Sequence, residues 1–226
     1  MMQFIRRFKD LGIEGTTARW YNNNTRKHRL EEMQEYAKEV GSHLSEGSRV
    51  LEIAPGPGYL SIELARSGKY SVVGMDISQD FVDIARENAR QAGVDVEFLQ
   101  GNASEIPLPD IAFDFIVCTA AFKNFKQPLK ALNEMFRVLK SGSTALIIDM
   151  NADVTNQEIE VNTKNMGVKG FEALFMKLTF KYFLRKGAYT KRGFADLISK
   201  TGFTQYDIRQ NGIGLYVYLR KPKSVH

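Results

Sequence analysis

From Arg49 onward, short apolar runs alternate with stretches whose apolar residues recur at helical spacing. Val50-Leu51-Glu52-Ile53-Ala54 reads as a strand and Tyr59–Arg66 as a helix. Tyr70–Asp76 is a second strand, followed by a helix over Asp80–Gln91 with Phe81, Ile84 and Ala85 inward. Val94–Leu99 alternates apolar and acidic residues as a third strand, and Phe113–Cys118 is apolar enough to be covered on both faces. A helix over Gln127–Leu139 and a fifth strand over Thr144–Asp149 complete the alternation. Upstream, residues 14–44 read as helices without deep burial, with Leu30, Met33, Ala37 and Val40 on one face.

The rhythm breaks over residues 151–189 and resumes at Thr190, the predicted N-cap of a helix that ends near Thr201-Gly202, with Gly202 as a left-handed stop. Phe203–Gln210 and Ile213–Arg220 then read as two strands joined through Asn211-Gly212, a hairpin signal. Strands alternating with helices imply right-handed βαβ units. The expected fold is therefore α/β, a doubly wound, Rossmann-like sheet of seven strands ending in an antiparallel hairpin. The expected organisation is a helical cap over 1–48, a ligand-binding core over 49–150, a helical lid insertion over 151–189, and a final helix with hairpin over 190–226 that completes the core sheet.

Composition narrows the class. The 226 residues suit one domain with an appendage, and 43% hydrophobic against 25% charged residues supports a buried core. No uncharged apolar run approaches the roughly 18 residues that span a bilayer. The start, Met1-Met2-Gln3-Phe4-Ile5-Arg6-Arg7, breaks into charge before an apolar signal core forms, so no export signal is expected. A single cysteine, Cys118, excludes an internal disulfide and a cysteine metal cage and points to a reducing cytoplasm. Charge is uneven. Residues 49–150 hold ten Lys and Arg against thirteen Asp and Glu, a net −3, whereas residues 151–226 hold thirteen against six, a net +7. That last third reads as a solvated basic face or as a surface for an anionic partner.

The chemistry concentrates in Glu52-Ile53-Ala54-Pro55-Gly56-Pro57-Gly58, where a strand meets a glycine turn that opens a helix. Glycine lets a ligand lie against bare backbone, and a helix start offers N–H groups to a carboxylate or phosphate. Asp76 closes the second strand, where an acidic side chain accepts hydrogen bonds from ribose hydroxyls. A dinucleotide dehydrogenase and a methyl-donor site both fit this outline. Three features favour the second: Ser61 replaces the third glycine of G-x-G-x-x-G, Glu52 sits within the first strand's end, and Gly101-Asn102-Ala103 follows the third strand.

On these residues the sequence resembles the class I S-adenosylmethionine-dependent methyltransferases over most of 49–150. Ala121-Phe122-Lys123-Asn124-Phe125-Lys126-Gln127-Pro128-Leu129-Lys130-Ala131-Leu132 is similar to a segment of the ubiquinone/menaquinone-biosynthesis C-methyltransferases. The resemblance implies S-adenosyl-L-methionine as cofactor. It places Glu52, Ala54, Gly56 and Gly58 at the methionine part, Asp76 at the ribose, Ile77 against adenine, Asn102 and Ala103 at the adenine edge, and Thr119 near the sulfonium. Tyr21 lies where related enzymes place an aromatic lid. Ala54 stands at the family's first glycine, which is tolerable if its φ stays negative, and Asn102 replaces the usual aspartate.

Methyl transfer from a sulfonium is an in-line displacement that asks chiefly for positioning in a water-poor pocket, and no metal is expected. For a protonated acceptor, His28, Tyr21, Lys123 and Asp149 are the candidate bases, with Lys123 the better placed to orient an anion. The expected acceptor is a small, apolar or aromatic molecule. Residues 171–187, aromatic with Lys177, Lys181 and Arg185 spaced four apart, are expected to be a lid packed on the core, a dimer face, or a transient membrane-surface contact. The protein is expected to be a monomer or homodimer. RNA or protein methylation is the first alternative, although no basic module for nucleic acid is visible; a non-catalytic cofactor-binding protein is the second.

Overall fold

A computed structural model describes residues 10, 12–165 and 185–223, apart from the side chains of 23–28, 165 and 186. Most of the expected 171–187 helix and the side chain of His28 therefore lie outside the described residues. The strands are β1 (Arg49–Ile53), β2 (Ser71–Asp76), β3 (Glu97–Gln100), β4 (Phe113–Thr119), β5 (Leu139–Met150), β6 (Gln205–Asn211) and β7 (Gly214–Arg220). They form one seven-stranded sheet in the order β3-β2-β1-β4-β5-β7-β6. The first five are parallel, while β7 runs antiparallel to β5 and β6 to β7. The α/β fold with a terminal antiparallel hairpin is as the patterning predicts.

Alternation along the strands sends side chains to both faces. Leu51, Ile53, Ile116, Cys118 and Ile147 pack with α4 (Pro128–Val138) and α6 (Lys191–Ile198) through Leu132, Met135, Phe194 and Ile198. Val50, Val72, Phe115, Val117, Leu146 and Ile148 meet the other layer. That layer contains α1 (Gly15–Gly41) and α2 (Tyr59–Ala65), which contribute Met33, Val40, Leu60 and Leu64. The upstream stretch is thus one 27-residue helix, and its burial is deeper than expected: Ala18 and Val40 are fully enclosed. α3 (Gln79–Ala92) is capped by Ser78, whose side chain accepts the Phe81 N–H, and ends on left-handed Gly93. A further helix, α5 (Asn156–Asn165), follows β5.

Two local expectations fail. α6 is capped by Thr190 as predicted but stops at Ile198, with Ser199 in a right-handed conformation. Gly202 does not adopt positive φ; a Cβ there would stand 2.6 Å from the Phe136 ring, so the glycine serves close packing. The third strand begins only at Glu97, because Val94 and Val96 pack with Ile62 and Phe98 beside α3.

Because β1 lies between β2 and β4, the chain reverses its direction of travel across the sheet at the β1/β4 boundary. Their carboxyl ends frame the crevice where open α/β sheets bind ligands.

Candidate functional site

A cavity of about 490 Å³ opens over that boundary, within the range of ligand pockets. It is lined by the ends of β1, β2 and β4, the turn after β3, and α1. Nine of the ten residues assigned from sequence to the cofactor line it: Tyr21, Glu52, Ala54, Gly56, Asp76, Ile77, Asn102, Ala103 and Thr119. Gly58 does not. At φ 81° it caps α2, and a Cβ would lie 2.8 Å from Phe98 and 2.9 Å from Ala85. Its role is close helix-to-strand packing. Gly56 is the glycine that faces open space, with φ 54° and nothing within 4 Å of a built Cβ.

Ala54 corrects the condition set for it. Its φ is +58°, in the left-handed region. Its N–H still completes the ladder to the Met75 carbonyl at 2.8 Å, and the chain then reverses into Pro55. An L-residue costs roughly 1–2 kcal/mol there. Ala120, just beyond β4 on the opposite lip, does the same at φ 56°.

The turn offers a ligand few main-chain donors. Pro55 and Pro57 have no N–H. Ala54 donates to Met75, Gly58 to the Pro55 carbonyl at 3.0 Å, and Gly56 to Asp76 Oδ2 at 3.0 Å. The amides of Ala54, Gly56 and Gly58 are therefore taken up within the protein.

Two carboxylates dominate the electrostatics. Glu52 is 1% exposed. Its Oε2 accepts the Ser61 hydroxyl at 2.5 Å, and Oε1 takes no hydrogen bond from the described residues. Burial pushes its carboxyl up to about 7, against the opposing pull of the Ser61 hydroxyl and amide and of Arg29. Burial likewise raises Asp76, partly offset by the N–H groups of Ser78 (2.9 Å to Oδ1) and Gly56. Asn102 uses its side-chain oxygen locally, on the Ser104 N–H at 2.8 Å. Tyr21 is half-buried and meets Phe81 edge-on at 5.8 Å.

Lys123 also lines the cavity, but its ammonium is already engaged. It donates to Asp149 Oδ1 at 2.9 Å and to the Ala120 carbonyl, while its amide donates to Asp149 Oδ2 at 2.9 Å. The pair is buried, 6% and 1% exposed. It braces the turn after β4 and is not a free cation. Cys118 is buried and burial raises its thiol well above the ordinary value, so it is inert. Among the described residues no three His, Cys, Asp or Glu side chains gather as metal ligands, and no helix is long and apolar enough to cross a membrane. Arg29 and Met33 of α1, with Ile13 before it, were not foreseen at the site; a polar helix upstream of the core carries no local signal of where it docks.

Comparison with known proteins agrees with this geometry. Residues 51–147 match the methyltransferase domain family. The chain is 35% identical over 102 residues to a demethylmenaquinone methyltransferase of Deinococcus radiodurans, covering 45% of this chain and 42% of that one. It is 37% identical over 119 residues to a ubiquinone/menaquinone biosynthesis C-methyltransferase of Cronobacter sakazakii, covering 50% and 47%. The matches thus span less than half the length of these curated relatives. A structure from Methanococcus maripaludis, assigned as an S-adenosyl-L-methionine-dependent methyltransferase, superposes with a TM-score of 0.79 at 21% identity, over 95% of this chain and 96% of that one.

Proposed function

We propose that this chain, whose residues 51–147 match the methyltransferase domain family, transfers a methyl group from S-adenosylmethionine to a small aromatic acceptor of the hydroquinone class. The observation that carries the reading is the pairing, at adjacent strand ends, of two buried carboxylates around an open glycine: Glu52, Asp76 and Gly56. The donor set fits the cofactor. Glu52 has a free oxygen for an ammonium, Asp76 has lone pairs for ribose hydroxyls, and Gly56 leaves room for a chain against the backbone. Ile77 supplies an apolar face to adenine, Asn102 and Ala103 border its edge, and Thr119 stands at the end of β4 where the two reactants meet.

When bound, S-adenosylmethionine supplies an electrophilic methyl on a sulfonium. The protein's part is to hold the acceptor in line and dry. Ala120, Ala121, Phe125, Ile13 and Met33 give the cavity an apolar wall, and Tyr21 closes it from α1. Lys123 and Asp149 hold the β4 turn that carries Thr119 and Ala120. Charge is neutralised as an anionic acceptor is methylated, so a water-poor wall favours that step. Similarity to quinone C-methyltransferases over the matched half of the chain supports a hydroquinone ring carbon as acceptor.

The test is direct. Mass spectrometry of the purified protein identifies any retained nucleoside, and isotopically labelled S-adenosylmethionine is then offered with a demethylmenaquinol analogue and a panel of phenols. Label on the quinol ring supports the full reading. Label only on a phenol oxygen keeps the methyltransferase and replaces the acceptor. A protein that binds S-adenosylmethionine and labels nothing is a cofactor-binding protein.

A further inference from the structure

S-adenosylmethionine ends in an amino acid, so a site for it must receive a carboxylate as well as an ammonium. The usual main-chain donors are absent from this turn: two of its five residues are prolines, and the N–H groups of Ala54, Gly56 and Gly58 are each engaged by Met75, Asp76 and Pro55. The Lys123 ammonium is held by Asp149 and Ala120. Arg29 is the remaining described cation on the cavity wall.

The Arg29 side chain is 27% exposed, and its Nε faces Glu32 Oε2 at 3.1 Å. No acceptor among the described residues meets Nη1 or Nη2. Burial opposes its charge, yet Glu32, Tyr21, Tyr36 and Glu52 together hold it above its ordinary value. A guanidinium with its outer fork unpaired matches a carboxylate by two parallel hydrogen bonds.

We propose that Arg29 is a specificity-determining residue of the cofactor site: its outer nitrogens receive the carboxylate of the methionyl tail while Glu52 receives the ammonium. The inference rests on the S-adenosylmethionine reading above. It makes α1 part of the cofactor site, tied to the glycine turn through the Tyr59 hydroxyl, which donates to Asn22 Oδ1 at 2.7 Å, and through Asn88, which donates to Asn22 Oδ1 and to the Pro57 carbonyl.

Calorimetry with two ligands tests it: S-adenosylhomocysteine, which carries the tail, and 5′-methylthioadenosine, which shares the nucleoside and thioether but lacks it. In Arg29→Leu, S-adenosylhomocysteine affinity is expected to fall at least about tenfold, while 5′-methylthioadenosine binding stays within about twofold and shows the variant to be folded. Arg29→Lys keeps the charge without the fork and should recover part of the loss. An equal loss for both ligands makes Arg29 a structural residue and overturns the inference, as does no loss for either. Wild-type protein that binds neither ligand overturns the cofactor reading itself, a separate result.

Discussion

The two lips of the crevice are built by the same device and end in opposite states. At the tip of β1, left-handed Ala54 turns the chain out of the sheet, and Asp76 from neighbouring β2 catches the amide of Gly56. At the tip of β4, left-handed Ala120 does the same, and Asp149 from neighbouring β5 catches the amide of Lys123. The difference is a cation. On the β4 side the Lys123 ammonium neutralises Asp149 and reaches back to the Ala120 carbonyl, closing the network on itself. On the β1 side neither Asp76 nor Glu52 has a salt-bridge partner among the described residues, and burial raises both. A satisfied buried pair makes a structural lip. The β1 lip instead keeps two buried carboxylates with no paired cation, the arrangement that marks a candidate site.

The comparison breaks most visibly at Asp149. Asp149→Ala strands a buried ammonium and should lower stability by about 3–5 kcal/mol in chemical denaturation, with much of the loss recovered in the double variant with Lys123→Met. A loss below about 1 kcal/mol would show that the β4 lip does not depend on its pair.

Next in size is the pH response of the β1 lip. Glu52 titrates at about 7 in the folded protein against 4.5 when unfolded. Its proton is therefore bound more tightly in the fold. The stabilisation is fully present below pH 4.5 and is lost as pH rises to about 7, a swing of about 3 kcal/mol. Denaturation of ligand-free Glu52→Gln across that window should lose this dependence. S-adenosylhomocysteine affinity in wild type should rise with pH through 7, because an ammonium selects the ionised carboxylate, and a flat profile would remove Glu52 from the tail.

Asp76→Ala should weaken S-adenosylhomocysteine at least about tenfold, since one lost charge-assisted hydrogen bond is worth a decade or more. Unchanged affinity by calorimetry would take Asp76 out of the site.

Smallest are the alanines. Ala54→Gly and Ala120→Gly relieve left-handed strain but enlarge the unfolded ensemble, so each should gain no more than about 1 kcal/mol. A clear loss in either would mean that the methyl group packs against something the turn needs.

Much of this was legible in the chain, because its determinants are local. Short apolar runs mark β1, β2 and β4, Thr190 caps its helix with its own hydroxyl, and Asn211-Gly212 signals the terminal hairpin, whose two turn residues are Gly212 and Ile213. The glycine turn and Asp76 point to a nucleoside pocket because their spacing along one βαβ unit dictates their spacing in space. Three readings failed for one shared reason. Whether Ala54 adopts positive φ, whether Gly58 meets ligand or Phe98, and whether Gly202 stops a helix or admits Phe136 are settled by atoms distant in sequence.

The sequence alone determined the alternation of strands and helices, the closing hairpin and the acidic and glycine residues of the first two strand ends, because each depends on neighbours a few positions away. Only the tertiary structure decided which charges are free. Lys123 looked available and is held by Asp149, twenty-six residues on; Arg29, on a helix with no local mark of function, lines the same cavity as Glu52, and no acceptor among the described residues meets its outer nitrogens. Charge is written in the sequence, but its compensation is a matter of contact, and contact between distant segments exists only once the chain has folded.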